Sequence, residues 1–294
     1  MTSRSRFVVA LLVATLCPRL ALAHPGSGIV ADRRGEIYFI DTGAGVWKID
    51  GAGALSRIPG PNFHWLTIDA DGRFGKTQLP TGTGGDIARV GVSPALFAAS
   101  DFPLVIGADG GLNYPQGSST GVRLLRLMPS GQTSVLASIA TTAAGGALRW
   151  VNGLAAGPEG SLYFTENDAI RRISAAGEVS IVARDIALTG CVPIPGTAAG
   201  EGPFLRGLAV DATGTAYVAA SGCGSLLKVT PGGEVTSVLQ LESPWSPTAV
   251  ALFAGDVYVL EYLHSSVEDR RLWIPRVRKI SPAGKAAVIA TVKR

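Results

Sequence analysis

Six residues of this chain could do chemistry together: His64, Asp101, Asn152, Glu166, Arg206 and Glu261. An imidazole takes up and returns protons near neutral pH, carboxylate and amide oxygens hold hard divalent cations, and a guanidinium neutralises anions. His64 is thus a candidate general base, and Arg206 joins it as a candidate catalytic residue. Asn152, Asp101 and Glu166 are candidate oxygen ligands for a divalent cation, while Asp101, Asn152, Glu166, Glu261 and His264 are candidate binding residues. His264 follows Glu261 by three residues, a spacing that suits a metal on a helix and means little in a loop. The chain has no G-x-S-x-G elbow, no Cys-x-x-Cys pair, no H-E-x-x-H, no P-loop and no dinucleotide fingerprint. Serine-hydrolase, zinc-protease and nucleotide chemistries lose ground accordingly.

Such scattered residues can act together only if the fold gathers them, and a repeated phrase supplies the means. An apolar triplet, a small turn ending in Gly, an aromatic strand and a second Gly turn recur as GIVADRRGEIYFID from Gly28, PLVIGADGGLNY from Pro103, GLAAGPEGSLYFTE from Gly153, GLAVDATGTAYVAA from Gly207 and AVALFAGDVYVLE from Ala249. A worn copy, WLTIDADGRF, starts at Trp65 and lacks a clean second half between Gly75 and Ser100. Repeats of short strands with starts roughly 37 to 54 residues apart predict a propeller. The expected fold is all-β, a six-bladed propeller of four-stranded antiparallel blades running over residues 24–294 as one domain.

The first-to-second and third-to-fourth turns are short in every copy, so one face of the ring should be plain. The longer stretches Asn113 to Gly121, Thr141 to Trp150, Ile186 to Leu205 and Tyr262 to Pro275 belong to the other connections, which emerge together on the opposite face. Loops gathered on one face of a scaffold are where binding and catalysis concentrate. Innermost strands line the central channel, and the residues entering them are Ser27, His64, Phe102, Asn152, Arg206 and Pro247. Asp41, Glu166 and Glu261, at second-strand exits, fall near the same mouth.

Residues 1–23 read as a secretory leader, with Arg4 and Arg6, an apolar run from Phe7 to Leu16 and a small-residue end at Ala21-Leu22-Ala23. The protein is therefore expected in the periplasm or secreted, cleaved near Ala23. Without the leader arginines Arg4, Arg6 and Arg19 the charge falls from +4 to 23 basic against 22 acidic residues, and no Lys/Arg run interleaves with aromatics. Nucleic acid is not an expected partner. No second apolar stretch is long enough to span a membrane, and a monomer is expected. Cys191 and Cys223 remain after cleavage, and in an oxidising compartment the pair is expected to bridge.

The repeat phrase resembles NHL-repeat propellers and the gluconolactonase/senescence-marker-protein superfamily over nearly the whole mature chain, most closely in NGLAAGPEGSLYFTE from Asn152. The resemblance implies a divalent cation, Ca²⁺ or similar, in the central channel, with Asn152 matching a family ligand and Asp101 standing near another. Leu205-Arg206-Gly207 occupies the place of the family's P-D-G acid, and no counterpart of the family's first-blade Glu is present. A looser resemblance links the repeats to streptogramin lyases, which have seven blades. Three functions are compatible with these residues. One is metal-assisted hydrolysis or lyase chemistry at the mouth with His64 as base. Another is non-enzymatic recognition of a small molecule, saccharide or peptide. The third is a structural plug in which Arg206 neutralises Glu166 and Glu261 across the channel.

Overall fold

The computed structural model describes residues 25–59, 62–81, 86–90, 96–118, 121–140, 151–191, 202–263 and 273–293. Six antiparallel sheets form the ring. Blade 1 holds β1 (Ile29–Ala31), β2 (Ile37–Asp41), β3 (Gly45–Ile49) and β4 (Leu55–Ile58). Blade 2 holds β5 (Trp65–Asp69), β6 (Ile87–Val90) and β7 (Leu96–Ser100). Blade 3 runs through β8 (Val105–Ile106), β9 (Leu112–Ser118), β10 (Gly121–Leu127) and β11 (Thr133–Ala140). Blade 4 contains β12 (Gly153–Ala156), β13 (Leu162–Thr165), β14 (Ile170–Ile173) and β15 (Val179–Ala183). Blade 5 contains β16 (Leu205–Val210), β17 (Ala216–Ala220), β18 (Ser225–Val229) and β19 (Val235–Gln240). Blade 6 closes the ring with β20 (Trp245–Phe253), β21 (Asp256–Leu263), β22 (Pro275–Ile280) and β23 (Ala286–Thr291).

The two glycines of the repeated phrase have distinct physical causes. Turn glycines such as Gly53, Gly177 and Gly214 have φ of +83°, +88° and +84°, and each donates its amide to the carbonyl three residues earlier. An L side chain is strained there. The glycines that open β12 and precede β1 are required for a different reason. A Cβ on Gly153 would stand 2.4 Å from the Arg206 carbonyl oxygen, and one on Gly28 would stand 2.6 Å from the Leu66 nitrogen. Neighbouring blades touch most closely where their inner strands begin, and the phrase records that contact.

Blade 2 departs from the expected four-strand order. Among the described residues it has three strands in the order β5-β7-β6, so β7 pairs with the inner strand and Arg73-Phe74 forms no second strand. The Asp69 carboxylate accepts the Phe74 amide at 2.7 Å, and the Phe74 ring is buried with Leu79, Leu104 and Leu112. Burying that ring between blades 2 and 3 diverts the chain before it can turn back along β5. The stretch Asn113 to Gly121, expected as a loop, is mostly sheet, because β9 and β10 pair from Leu112↔Leu127 to Ser118↔Gly121.

The terminal blades share no strand among the described residues, since blades 1 and 6 each keep their own four. Ile29, Phe39, Leu260, Tyr262 and Val277 pack across this seam, and the Tyr262 hydroxyl donates to the Ile40 carbonyl at 2.6 Å. The six inner strands enclose a central cavity of about 280 Å³. Its side chains are aliphatic or aromatic apart from Ser27 and Thr67.

Candidate functional site

The ring ties Arg206 and His64 to one buried segment and pairs the other expected residues differently from expectation. Pro25, Gly26, Ser27 and Gly28 are all buried and cross the mouth ahead of β1. At one end of this segment Arg206, 6% exposed, donates from Nη2 to the Pro25 carbonyl at 2.6 Å. At the other end the Ser27 amide donates to the His64 carbonyl at 2.7 Å, and the His64 amide in turn bonds the Ser100 carbonyl. His64, Asn152 and Arg206 do not line the cavity itself and sit above it.

His64 and Asp101 form a couple. Nδ1 of the buried imidazole lies 2.6 Å from Asp101 Oδ1, while the Asp101 side chain is 61% exposed. A carboxylate accepting from Nδ1–H fixes the ring and leaves Nε2 as the basic nitrogen. The spacing between His64 and Asp101 in sequence gave no hint of this pair, because β6 and β7 intervene. Ser27 Oγ, 3% exposed, has no hydrogen-bond partner among the described residues and lines the cavity. Its place in the sequence of first-strand residues was visible, but a serine after Gly carries no distinguishing signal.

The salt-bridged plug is not formed. Glu166 pairs with Arg171 of its own blade at 3.2 Å. Burial raises the Glu166 pKa, and the nearby Arg171 opposes the shift. Glu261, fully buried, lies 2.5 Å from Arg276 Nε and 2.6 Å from Arg278 Nε, and Arg276 stacks over Trp245 at 3.7 Å from the ring centre. The reason is register: β21 and β22 place Glu261 directly opposite Arg276. Arg206 therefore faces neither carboxylate.

The oxygens expected to hold a divalent cation do not converge either. Asp101 is engaged with His64, Glu166 with Arg171, and Asn152 Nδ2 donates to Asn167 Oδ1 at 2.9 Å. Among the described residues no group of three or more His, Cys, Asp and Glu could hold a metal ion. The described residues do not fit Ca²⁺ or a similar ion, and a cationic Arg206 at the mouth disfavours one. His264 and residues 1–23, expected as a leader, lie outside the described residues.

The lead-in to Arg206 is braced from behind. Cys191 and Cys223 are joined, closing 32 residues of sequence. The turn that carries Cys223 donates from the Ser221 and Gly222 amides to the carbonyls of Phe204 and Pro203. Phe204 has φ +43°, a conformation that an aromatic residue adopts only when held.

No family model matches the chain, and no curated protein matches it. Solved structures do. Regucalcin, a calcium-binding protein from Agrobacterium tumefaciens, aligns at 13% identity with a TM-score of 0.54, covering 84% of this chain and 85% of its own. A luciferin-regenerating enzyme aligns at 14% identity and a TM-score of 0.53, covering 88% and 92%. Virginiamycin B lyase from Staphylococcus aureus aligns at 14% identity and a TM-score of 0.51, covering 92% and 85%. Likeness at this level shows the propeller fold alone, and function must be argued from the site.

Proposed function

We propose that this chain is an exported, monomeric propeller that binds a small molecule at its loop-rich mouth and acts on it by general-base catalysis. The observation that carries this is the His64–Asp101 couple, a buried imidazole oriented by a carboxylate at 2.6 Å beside the channel head. Such a base can take a proton from a carbon acid, which is lyase chemistry, or from water, which is hydrolysis. A lyase, virginiamycin B lyase, is among the fold neighbours named above. Export is supported by the Cys191–Cys223 bond and by the leader-like residues 1–23. Among the described residues no helix is long and apolar enough to cross a membrane.

The role of each residue follows from position. Nε2 of His64 receives the proton, Asp101 holds the ring and stabilises the imidazolium that forms, and Ser27 offers a hydroxyl to the bound molecule. No step is routed through a metal. The test is turnover on lactones, aryl esters and virginiamycin B by the wild type and by His64→Ala. Wild-type turnover of one class, with kcat reduced about 10²- to 10⁴-fold in the variant and KM little changed, is expected. Equal turnover by both proteins removes His64 from the chemistry. Binding without turnover across the panel makes the protein a recognition module.

A further inference from the structure

Arg206 is buried, and the described residues give it no counter-charge. Among the described residues its guanidinium makes one hydrogen bond, Nη2 to the Pro25 carbonyl, and no carboxylate stands within ion-pair distance. A guanidinium has five N–H donors, and a buried cation is strongly disfavoured unless paired. The two carboxylates nearest in expectation, Glu166 and Glu261, are taken by arginines of their own blades. Tyr262, the neighbour whose field bears on Arg206, spends its hydroxyl proton on the Ile40 carbonyl. Burial lowers the Arg206 pKa to about 10, with Tyr262 opposing.

Meanwhile the backbone of Arg206 is firmly held. Thr165 Oγ1 donates to its carbonyl at 2.6 Å, Gly153 packs against the same carbonyl, and the Cys223 turn pins the strained Phe204 two residues ahead. Holding Pro25 requires a donor but not a charge. The fold thus fixes a desolvated cation at the mouth and satisfies only one of its donors.

We propose that Arg206 is the anchor for a carboxylate group of the ligand. The proposal rests on the reading that the mouth is the ligand site, and it names the substrate class as a carboxylic acid. A planar monoanion matches the unused edge of the guanidinium and cancels its single charge. A dianion such as phosphate would leave excess negative charge close to the fully buried Asp41, whose field already acts on Tyr262. Arg206 positions the ligand and takes no part in proton transfer.

Calorimetry and thermal melting of the full chain test this with acetate and benzoate against the neutral acetamide and benzamide. Wild type should bind a carboxylate at least about tenfold more tightly than its amide. Arg206→Met should lose that preference, and without ligand it should melt at the same temperature as the wild type or higher, because an unpaired buried charge has been removed. Arg206→Lys should keep part of the preference, which guards against a Met variant that fails to fold. Gly53→Ala, at a turn with nothing within 4 Å, should bind benzoate as the wild type does. Equal binding of acid and amide, or no binding of either, overturns the proposal. So does a ligand-free Arg206→Met protein that melts several degrees lower, since Arg206 would then serve to hold Pro25. If carboxylate binding depends on Arg206 while His64→Ala keeps full turnover, the anchor stands and the general-base function falls.

Discussion

Arg206 and His64 stand at the two ends of one tripeptide. The Arg206 guanidinium donates to the carbonyl of Pro25, and the amide of Ser27 donates to the carbonyl of His64. Pro25 and Ser27 are two residues apart, a reach of roughly 7 Å. A cation from blade 5 and a proton acceptor from blade 2 are thereby brought to one opening by a segment that belongs to neither blade.

Asp101 should matter through His64 alone. Asp101→Asn keeps the shape but weakens the orientation of Nδ1–H, so kcat on any substrate found for the wild type should fall. Its exposed side chain contributes little to folding, and Tm should stay within about 2 °C. A circular dichroism melt beside the kinetic assay reads both.

Breaking the Cys191–Cys223 bond should cost about 3–4 kcal/mol, because the link closes a loop of 32 residues in the unfolded chain. The same Cys191→Ser/Cys223→Ser protein should bind benzoate more weakly, since the turn that steadies Phe204 and Arg206 loses its tether. Denaturant unfolding and calorimetry on the double variant check the two effects, and mass spectrometry of the wild type should show the linked pair.

Tyr262→Phe removes the hydroxyl that bonds Ile40 across the junction of blades 1 and 6. The buried Ile40 carbonyl is left unmatched, at a cost of about 1–3 kcal/mol in urea unfolding.

Gly153→Ala and Gly53→Ala separate the two kinds of glycine. At Gly153 the new methyl meets the Arg206 carbonyl and Thr165 Oγ1, so stability should fall by about 1–3 kcal/mol and carboxylate binding with it. At Gly53 nothing lies within 4 Å, but φ is +83°, so about 1–2 kcal/mol is lost with binding intact.

Glu166 sets a pH dependence. Its folded pKa lies above the ordinary carboxylate value because burial disfavours the charged form, although Arg171 opposes this. The folded state therefore holds the proton more tightly than the unfolded state, and wild-type stability relative to Glu166→Gln should fall as pH rises from the ordinary value through the raised one. Melts of both proteins across pH 4–7 measure the difference (a range set by carboxylate titration).

The repeats made the ring legible because each blade needs glycine at the same places: a left-handed turn residue such as Gly177, and at some blades a residue without a side chain such as Gly153 where inner strands meet. The entering positions followed from counting along those copies, and so His64, Asn152 and Arg206 were placed near the mouth. Their partners were not legible. Glu261 takes Arg276 and Arg278 through cross-strand register, which a repeat phrase does not specify, and Glu166 finds Arg171 across a short turn. Blade 2 was legible as a worn copy from Trp65, but its strand order was not, because Phe74 is buried with Leu79, Leu104 and Leu112 where a second strand was expected.

Because the terminal blades keep their own strands, the ring has a seam with no hydrogen-bonded ladder across it among the described residues. Tension applied between the two chain ends would load that seam by prying two side-chain surfaces apart, with Tyr262 as the one hydroxyl stitch described there. A shared strand would instead have to be sheared along its whole length. This propeller should therefore behave as a clasp that opens between blades 1 and 6, the junction that no connecting chain holds.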